Sequence, residues 1–237
     1  FGVRSAMPSM TAKKLCPDII FIPVHMDKYR NISKEIHKIF KCYTKVIEPI
    51  SLDEEYLDVT YSKYCNGDPS KMAMQIRSKI HNDLRITASA GIAPNKFLSK
   101  IASEWKKPNG QFCITNNMIE KFMMNLPIRK IVGVGEKTEK KIHMIGVKTC
   151  GDLQNISLLD LKANFGKFGS TLYDLCRGID LRDVVSDRDS KSLSVEDTYS
   201  ADLKSSKECE MQLSILHQKL KIRLSEEKFM NKKIKSC

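Results

Sequence analysis

Apolar residues recur every third or fourth position in some stretches of the chain and cluster or alternate in others, and the two rhythms separate helices from strands. From Lys28 to Tyr43, the positions Ile32, Ile36, Ile39 and Phe40 keep helical spacing. Met72, Ile76 and Ile80 line one face of a helix that opens at the turn "GDPS", residues 67 to 70. In "PNKFLSKIASEW" (94 to 105), Phe97, Ile101 and Trp105 lie four apart, which predicts a helix started at Pro94 and Asn95 and stopped before Pro108. A short helix is expected over "SMTAKKLC" (9 to 16), and a longer one from about 205 to 229 with Leu213, Leu216, Leu220 and Leu224 on one face. Strands are expected at "DIIFIPV" (18 to 24), bounded by Pro17 and Pro23, and at "ITASAGIA" (86 to 93). "VIEPISLDEEYLDVT" (46 to 60) reads as two strands with a break near Pro49, and "SLSVEDTYS" (192 to 200) as one more.

Strands and helices alternate up to about residue 114, which predicts an α/β or α+β sheet domain. Residues 116 to 180 carry short helical patterns and no convincing strand. A polar joint follows at "SDRDSKS" (186 to 192), and the last strand and helix begin a small domain that stops at the basic "NKKIKSC". There is no internal repeat and no low-complexity tract. No run approaches the roughly 20 apolar residues of a membrane helix. The chain opens at Phe1 without the charged head and apolar core of a signal peptide, as expected of an internal segment.

Charge changes the picture. Lys and Arg number 40 against 28 Asp and Glu, a formal net charge of +12, which points to a phosphate-rich partner. Eight cysteines are scattered without a CxxC pair or a zinc spacing, so free thiols in a reducing compartment are expected.

Against that basic background, "ISLDEEYLDVT" (50 to 60) places Asp53, Glu54, Glu55 and Asp58 among strand-forming residues. Burying such charges costs several kcal/mol unless they are paired or bound to a metal. Neighbouring carboxylates on an ideal strand face opposite ways, so for Asp53 and Glu54 to reach one ion the backbone must turn between them. Oxygen donors suit Mg²⁺, which keeps waters or substrate phosphates in the rest of its shell. The alternative is an exposed edge strand with solvated acids. A second signal is "IVGVGEKTEKKIHMIGVKTCGDL" (131 to 153), where Gly133, Val134 and Gly135 join two short helices beside Lys137, Lys140 and Lys141. Ile131, Ile142, Ile145, Gly146, Val147 and Leu153 complete a helix-hairpin-helix pattern, which grips a nucleic-acid backbone without reading bases. Third, Lys96 and Lys100 lie on one face of the helix that begins at Asn95 and Lys107 sits at its exit; they could hold a triphosphate as point charges, the alternative being a solvated basic face. Metal carboxylates, triphosphate lysines and a backbone-gripping hairpin together describe a nucleotidyltransferase acting on a DNA end.

The blocks "FGVRSAMP", "LCP", "DKYR", "SLDEEYLDVT", "TASAGIAPNKFLSKIAS", "KPNGQ", "LPIRKIVGVGEKTEK" and "KSLSVEDTYS" resemble the Y-family translesion DNA polymerases, most nearly those of the kappa type. The resemblance implies an α+β right-hand polymerase fold. Residues 1–25 would be the end of the fingers, 26–114 an α/β palm, 115–180 a helical thumb with the helix-hairpin-helix, 181–190 a linker and 191–237 the start of the little finger. It implies that Asp53 and Glu54 are catalytic and bind two Mg²⁺ ions (or Mn²⁺). Lys107, with Lys100 beside it, would contact the incoming dNTP, and Gly133, Val134, Gly135, Lys137 and Lys140 would hold primer–template DNA. Family members usually have Ala where this chain has Glu55. The family's first metal-binding Asp, its aromatic steric gate and a Tyr–Arg pair for the triphosphate lie on segments earlier than "FGVR" and are not among these residues. The kappa likeness implies a nuclear address, and a sliding clamp and other translesion factors as partners through regions outside these residues; nothing suggests a membrane.

The expected activity is dNTP addition to a primer 3′-OH opposite damaged DNA, with these 237 residues inactive by themselves because one of three metal carboxylates is missing. A non-catalytic DNA-binding or scaffold protein that kept the hairpin is the alternative, and intact Asp53, Glu54 and Lys107 argue against it. A helix-hairpin-helix nuclease would need a second acidic cluster, which the sequence does not show.

Overall fold

The computed structural model describes residues 1–187, 192–199 and 201–226. They divide into two compact units, Phe1–Ser186 and Asp187–Cys237.

The first unit opens with α1 (Ser9–Leu15), followed by an irregular stretch and then α2 (Met26–Lys41). The expected strand over 18 to 24 does not form: residues 19 to 25 are irregular, and Ile20 and Ile22 are 84% and 80% exposed. An apolar β-branched run becomes a strand only with a neighbour to pair with, and Pro17 and Pro23 have no N–H to offer one. β1 (Val46–Pro49) and β2 (Glu55–Asp58) form an antiparallel hairpin in which Glu48 faces Tyr56 and Ile47 faces Leu57. The break near Pro49 is the turn between them.

α3 (Pro69–Leu84) begins where the sequence predicts. Asp68 caps it, accepting from the Ser70 and Lys71 amides at 2.9 and 3.1 Å, and Pro69 occupies the first turn, where no N–H is needed. Its buried stripe Ile76 and Ile80 packs with Ile39 of α2, and Leu57 of β2 joins this cluster. β3 (Ala90–Ile92) is shorter than predicted and runs parallel to β4 (Gln111–Cys113), with α4 (Lys96–Trp105) as the crossover. Asn95 caps α4 through the Leu98 amide at 2.9 Å. Gly91 lets the helix lie on the strand: a Cβ there would stand 1.9 Å from the Ser99 carbonyl oxygen.

The helical part comprises α5 (Ile119–Met124), α6 (Glu136–Met144), α7 (Cys150–Gln154), α8 (Leu158–Phe165) and α9 (Lys167–Leu175). Its core continues from α4 without a seam: Phe97, Leu98 and Ile101 share one cluster with Met123, Ile131, Ile142, Leu153 and Leu172. Each such side chain contributes roughly 1.5–3 kcal/mol when fully buried. Trp105, expected on the buried stripe, is half exposed and packs its ring against Phe112 and Phe122.

In the second unit, α10 (Ser206–Glu226) occupies most of the predicted helix, and residues 227 to 229 lie outside the described residues. The expected strand over 192 to 200 is not one: residues 192 to 199 are irregular, and residue 200 lies outside the described set. This stretch lies along α10 instead. Lys219 reaches Asp197 at 2.5 Å, and the Arg223 guanidinium donates to the Ser194 carbonyl at 2.8 Å. The joint predicted at 186 to 192 falls where the two units divide, and its residues 188 to 191 lie outside the description. Among the described residues no cysteine is in a disulfide, and no helix is long and apolar enough to cross a membrane.

Candidate active site and DNA-binding hairpin

The β1–β2 hairpin sorts its side chains by face. Register places Glu48 opposite Tyr56, and strand alternation adds Glu54 to that face and Glu55 to the other. The face with Glu48, Tyr56 and Glu54 meets α4. Lys96 pairs with Glu48 at 2.5 Å and lies 5.1 Å from the Tyr56 ring centre, and Lys100, one turn further along the helix, ion-pairs with the Glu54 carboxylate. Glu55 points to α2, where its carboxylate lies 2.7 Å from His37 Nδ1. The extra acid is therefore held away from Glu54 by the pleat itself.

Asp53 is not on the strand. The amides of Ile50 and Ser51 both donate to the Glu54 carbonyl, at 2.9 and 3.2 Å, and this closes a tight turn over 50 to 54. Asp53 sits in that turn, exposed, with Oδ1 accepting from the Ser51 hydroxyl at 2.5 Å. The backbone thus turns between the two carboxylates, as the sequence requires if both are to serve one ion. Asp58, the fourth acid, is a local cap that accepts from the Thr60 amide at 2.9 Å.

The donor set of Asp53 and Glu54 is all oxygen, and Asp53 is open to water. Both features fit a hard divalent ion that keeps part of its hydration or takes phosphate oxygens. The pair would be only part of a shell: among the described residues no group of three or more His, Cys, Asp or Glu is gathered for a metal. The Glu54 carboxylate is held by the Lys100 ammonium.

Lys107 leaves α4 in the loop Lys107–Gly110 and pairs with Glu104 at 2.5 Å, with its side chain about half exposed. Of the three lysines expected to serve a triphosphate, Lys100 meets the acidic turn and Lys107 does not, while Lys96 is buried against Glu48 and is corrected to a structural cation. The loop is held from behind by a residue that sequence reasoning missed. The Arg77 guanidinium, on α3, donates to Ala88 O at 2.9 Å, Gln111 Oε1 at 3.2 Å and Asn109 Oδ1 at 2.9 Å, and also to Asn109 O. A lone Arg on an amphipathic helix gives no sequence signal for such a role.

Around Gly133 the hairpin forms as its pattern predicts. Ile131, Ile142, Val147 and Leu153 are all buried in the main core, although Ile145 is partly exposed. Gly133 has φ +93°, and a Cβ there would press on the Phe168 ring at 3.2 Å. Gly135 starts α6 without a side-chain cap, which leaves first-turn amides open at the helix N-terminus. One expectation is corrected. Val134 is buried and its amide donates to Ile131 O at 3.0 Å, so it faces the core rather than DNA. Lys137 is exposed. Lys140 pairs with Glu136 at 2.6 Å, which holds the Glu136 carboxyl below its ordinary range and the Lys140 ammonium above its own. Lys141 instead donates to the Asn164 carbonyl and lies 4.9 Å from the Phe165 ring centre.

Comparison with known proteins shows what the chain as a whole is similar to. Residues 1–104 match the impB/mucB/samB family, and residues 129–180 match the thumb domain described for DNA polymerase iota. DNA polymerase IV of Escherichia fergusonii is 49% identical over 228 residues, covering 96% of this chain and 69% of that protein. DNA polymerase IV of Protochlamydia amoebophila is 50% identical over 223 residues, and the chain spans 64% of that relative's length. Among solved structures, DinB from Sulfolobus solfataricus superposes with a TM-score of 0.71 at 28% identity, covering 77% of this chain and 54% of that one. An insertion ternary complex of Dbh DNA polymerase gives 0.71 at 29%, with the same coverage of 77% and 54%. The chain belongs to the Y family of DNA polymerases. Within it, the relatives at about half identity are bacterial DNA polymerase IV, so the narrower likeness to the kappa type is corrected. The nuclear address inferred from that likeness falls with it, because bacteria have no nucleus.

Proposed function

We propose that the whole protein is a template-directed DNA polymerase of the translesion type, adding a dNTP to a primer 3′-OH opposite damaged DNA, and that this chain supplies part of its chemistry. The carrying observation is the contact between the Glu54 carboxylate, beside exposed Asp53 in the turn, and the Lys100 ammonium reaching it from α4, which brings two acids and a cation together. Asp53 and Glu54 would hold Mg²⁺, or Mn²⁺, together with a further carboxylate and the substrate's phosphates. Two such ions, when bound, stabilise the attacking and leaving oxygens of an in-line phosphoryl displacement. Lys100 would orient Glu54, and Lys107 would offer its ammonium to the triphosphate as a point charge. Glu55, occupied by His37, stays outside the donor set.

The open amides after Gly135 and the exposed Lys137 would grip the backbone of primer–template DNA, with Gly133 shaping the turn. Residues 1–25 would act as the end of the fingers, 26–114 as the palm, 115–180 as the thumb, 181–190 as the linker and those from 191 as the start of the little finger. A sliding clamp and other translesion factors would engage regions beyond these residues.

Primer extension by the full-length protein on undamaged and lesion-bearing templates tests this reading. Mg²⁺-dependent extension on both is expected. Binding of the duplex with no extension at all would make it a non-catalytic DNA-binding protein. Residues 1–237 alone, with two of the carboxylates, are expected to bind DNA weakly and extend nothing.

A further inference from the structure

We propose that Arg77 is the positioning residue of the nucleotide site: its guanidinium fixes the loop that carries Lys107 and thereby sets affinity for the incoming dNTP. The inference rests on the reading of Lys107 as a triphosphate ligand.

The geometry begins with the loop. Asn109 holds φ +48°, a left-handed conformation that a side chain other than Gly adopts at a cost. Gly110 is packed so closely that a Cβ would stand 1.9 Å from the Lys106 carbonyl oxygen. This tight turn is tied from outside. Arg77 supplies the tie at both ends of Asn109, donating to its carbonyl oxygen and, at 2.9 Å, to its side-chain Oδ1. The other edge of the fork reaches Ala88 O at 2.9 Å, two residues before β3, and Gln111 Oε1 at 3.2 Å, the first residue of β4. Gln111 in turn donates to Ser70 O at 3.1 Å, at the start of α3. One planar, always-charged group therefore binds the entry to β3, the loop and the start of β4 to a single helix, which only arginine's rigid set of donors can do.

α3 is itself immobilised, because Ile76 and Ile80 flank Arg77 in a buried cluster. Lys107, by contrast, is about half exposed, and among the described residues its ion pair is with its near neighbour Glu104. Where its ammonium can reach is decided by the backbone two residues away, which Arg77 holds. Arg77 makes its bonds without approaching the acidic turn through any of them, so its effect should fall on nucleotide affinity rather than on the chemical step.

The test is single-nucleotide insertion by the full-length protein carrying Arg77→Gln, Arg77→Lys, Lys107→Ala or Arg77→Gln with Lys107→Ala. KM for dNTP, kcat, duplex affinity and urea midpoint are measured for each. Arg77→Gln is expected to raise KM on the order of tenfold, within what a displacement of about 1 Å can cost, with kcat and duplex affinity nearly unchanged. Arg77→Lys, which keeps the charge without the fork, should recover part of the loss and guards against a Gln variant that fails to fold. The double variant should be no worse than Lys107→Ala. If Lys107→Ala raises KM while both Arg77 variants, folded by their urea midpoints, leave it unchanged, the inference is overturned and the Lys107 reading stands. If Lys107→Ala leaves KM unchanged, both fall together.

Discussion

Lys96 and Glu48 meet at 2.5 Å with each side chain about 5% exposed, an ion pair shut away from water. The ammonium also donates to Asp183 O at 3.1 Å, and the same Glu48 oxygen accepts from the Val185 amide at 2.9 Å. One pair thus ties β1, the first turn of α4 and the chain leaving α9 into a single block. Removing one member of a buried pair costs roughly 3–5 kcal/mol, because the other charge stays in place without its partner. Lys96→Met is expected to lower stability by about that amount, and Lys96→Met with Glu48→Leu to recover more than half of it. Urea unfolding of the three proteins checks this.

Gly91 is the second pressure point. A Cβ there would lie 1.9 Å from Ser99 O and 2.3 Å from the Ser103 amide, both backbone atoms of α4 that cannot swing aside. Gly91→Ala should force α4 off β3 and lose about 3 kcal/mol, the upper end of ordinary overpacking. Because α4 carries Lys96 and Lys100, thermal unfolding and nucleotide addition should both suffer.

The thiols should divide by burial. Desolvation pushes the Cys150 thiol up to about 12 and the Cys176 thiol up to about 11, and thiolate is the reactive form. Cys42 and Cys209 are exposed. A thiol-specific disulfide reagent at mildly alkaline pH should modify Cys42 and Cys209 at once, and Cys150 and Cys176 only as the protein unfolds. Mass mapping of a time course reads the order.

How much of this was legible in the chain depends on the range of each interaction. Helical stripes such as Met72, Ile76 and Ile80 announce themselves because burial follows the helix period. So does the hairpin core of Ile131, Ile142, Val147 and Leu153. The run 18 to 24 misleads, because strand-forming side chains say nothing about whether a neighbour is there to pair with. Val134 misleads too, since a Val between two glycines reads the same whether it faces the core or a ligand. The turn at Asp53 follows from the acid spacing only if both carboxylates are to reach one ion; the strand-like residues around it read equally as an edge strand. The partners of Lys96, Glu48 and Arg77 could not, because each meets a residue distant in sequence that only the packing of α4 and α3 brings near.

Acid should weaken the protein partly through Asp180. Its side chain is 3% exposed, and that desolvation alone would raise its pKa; the Arg182 guanidinium at 2.7 and 2.8 Å and the Phe97 amide at 3.0 Å outweigh it and hold the carboxyl below the usual range. A carboxyl depressed in the folded state contributes stability above its ordinary value of about 4, and that contribution is lost as pH falls through the depressed one. Asp180→Asn should lower stability at neutral pH and flatten the decline below about pH 4. Urea midpoints from pH 7 down to pH 2 measure it.

The most direct test of the account compares Asp53→Ala and Glu54→Ala with the unaltered full-length protein in Mg²⁺-dependent primer extension, alongside duplex affinity. Loss of a metal donor is expected to remove several kcal/mol of transition-state stabilisation, on the order of 10³-fold or more in rate, while duplex affinity changes little. Extension at near-normal rates by either variant would contradict the assignment of the acidic turn to the metal site.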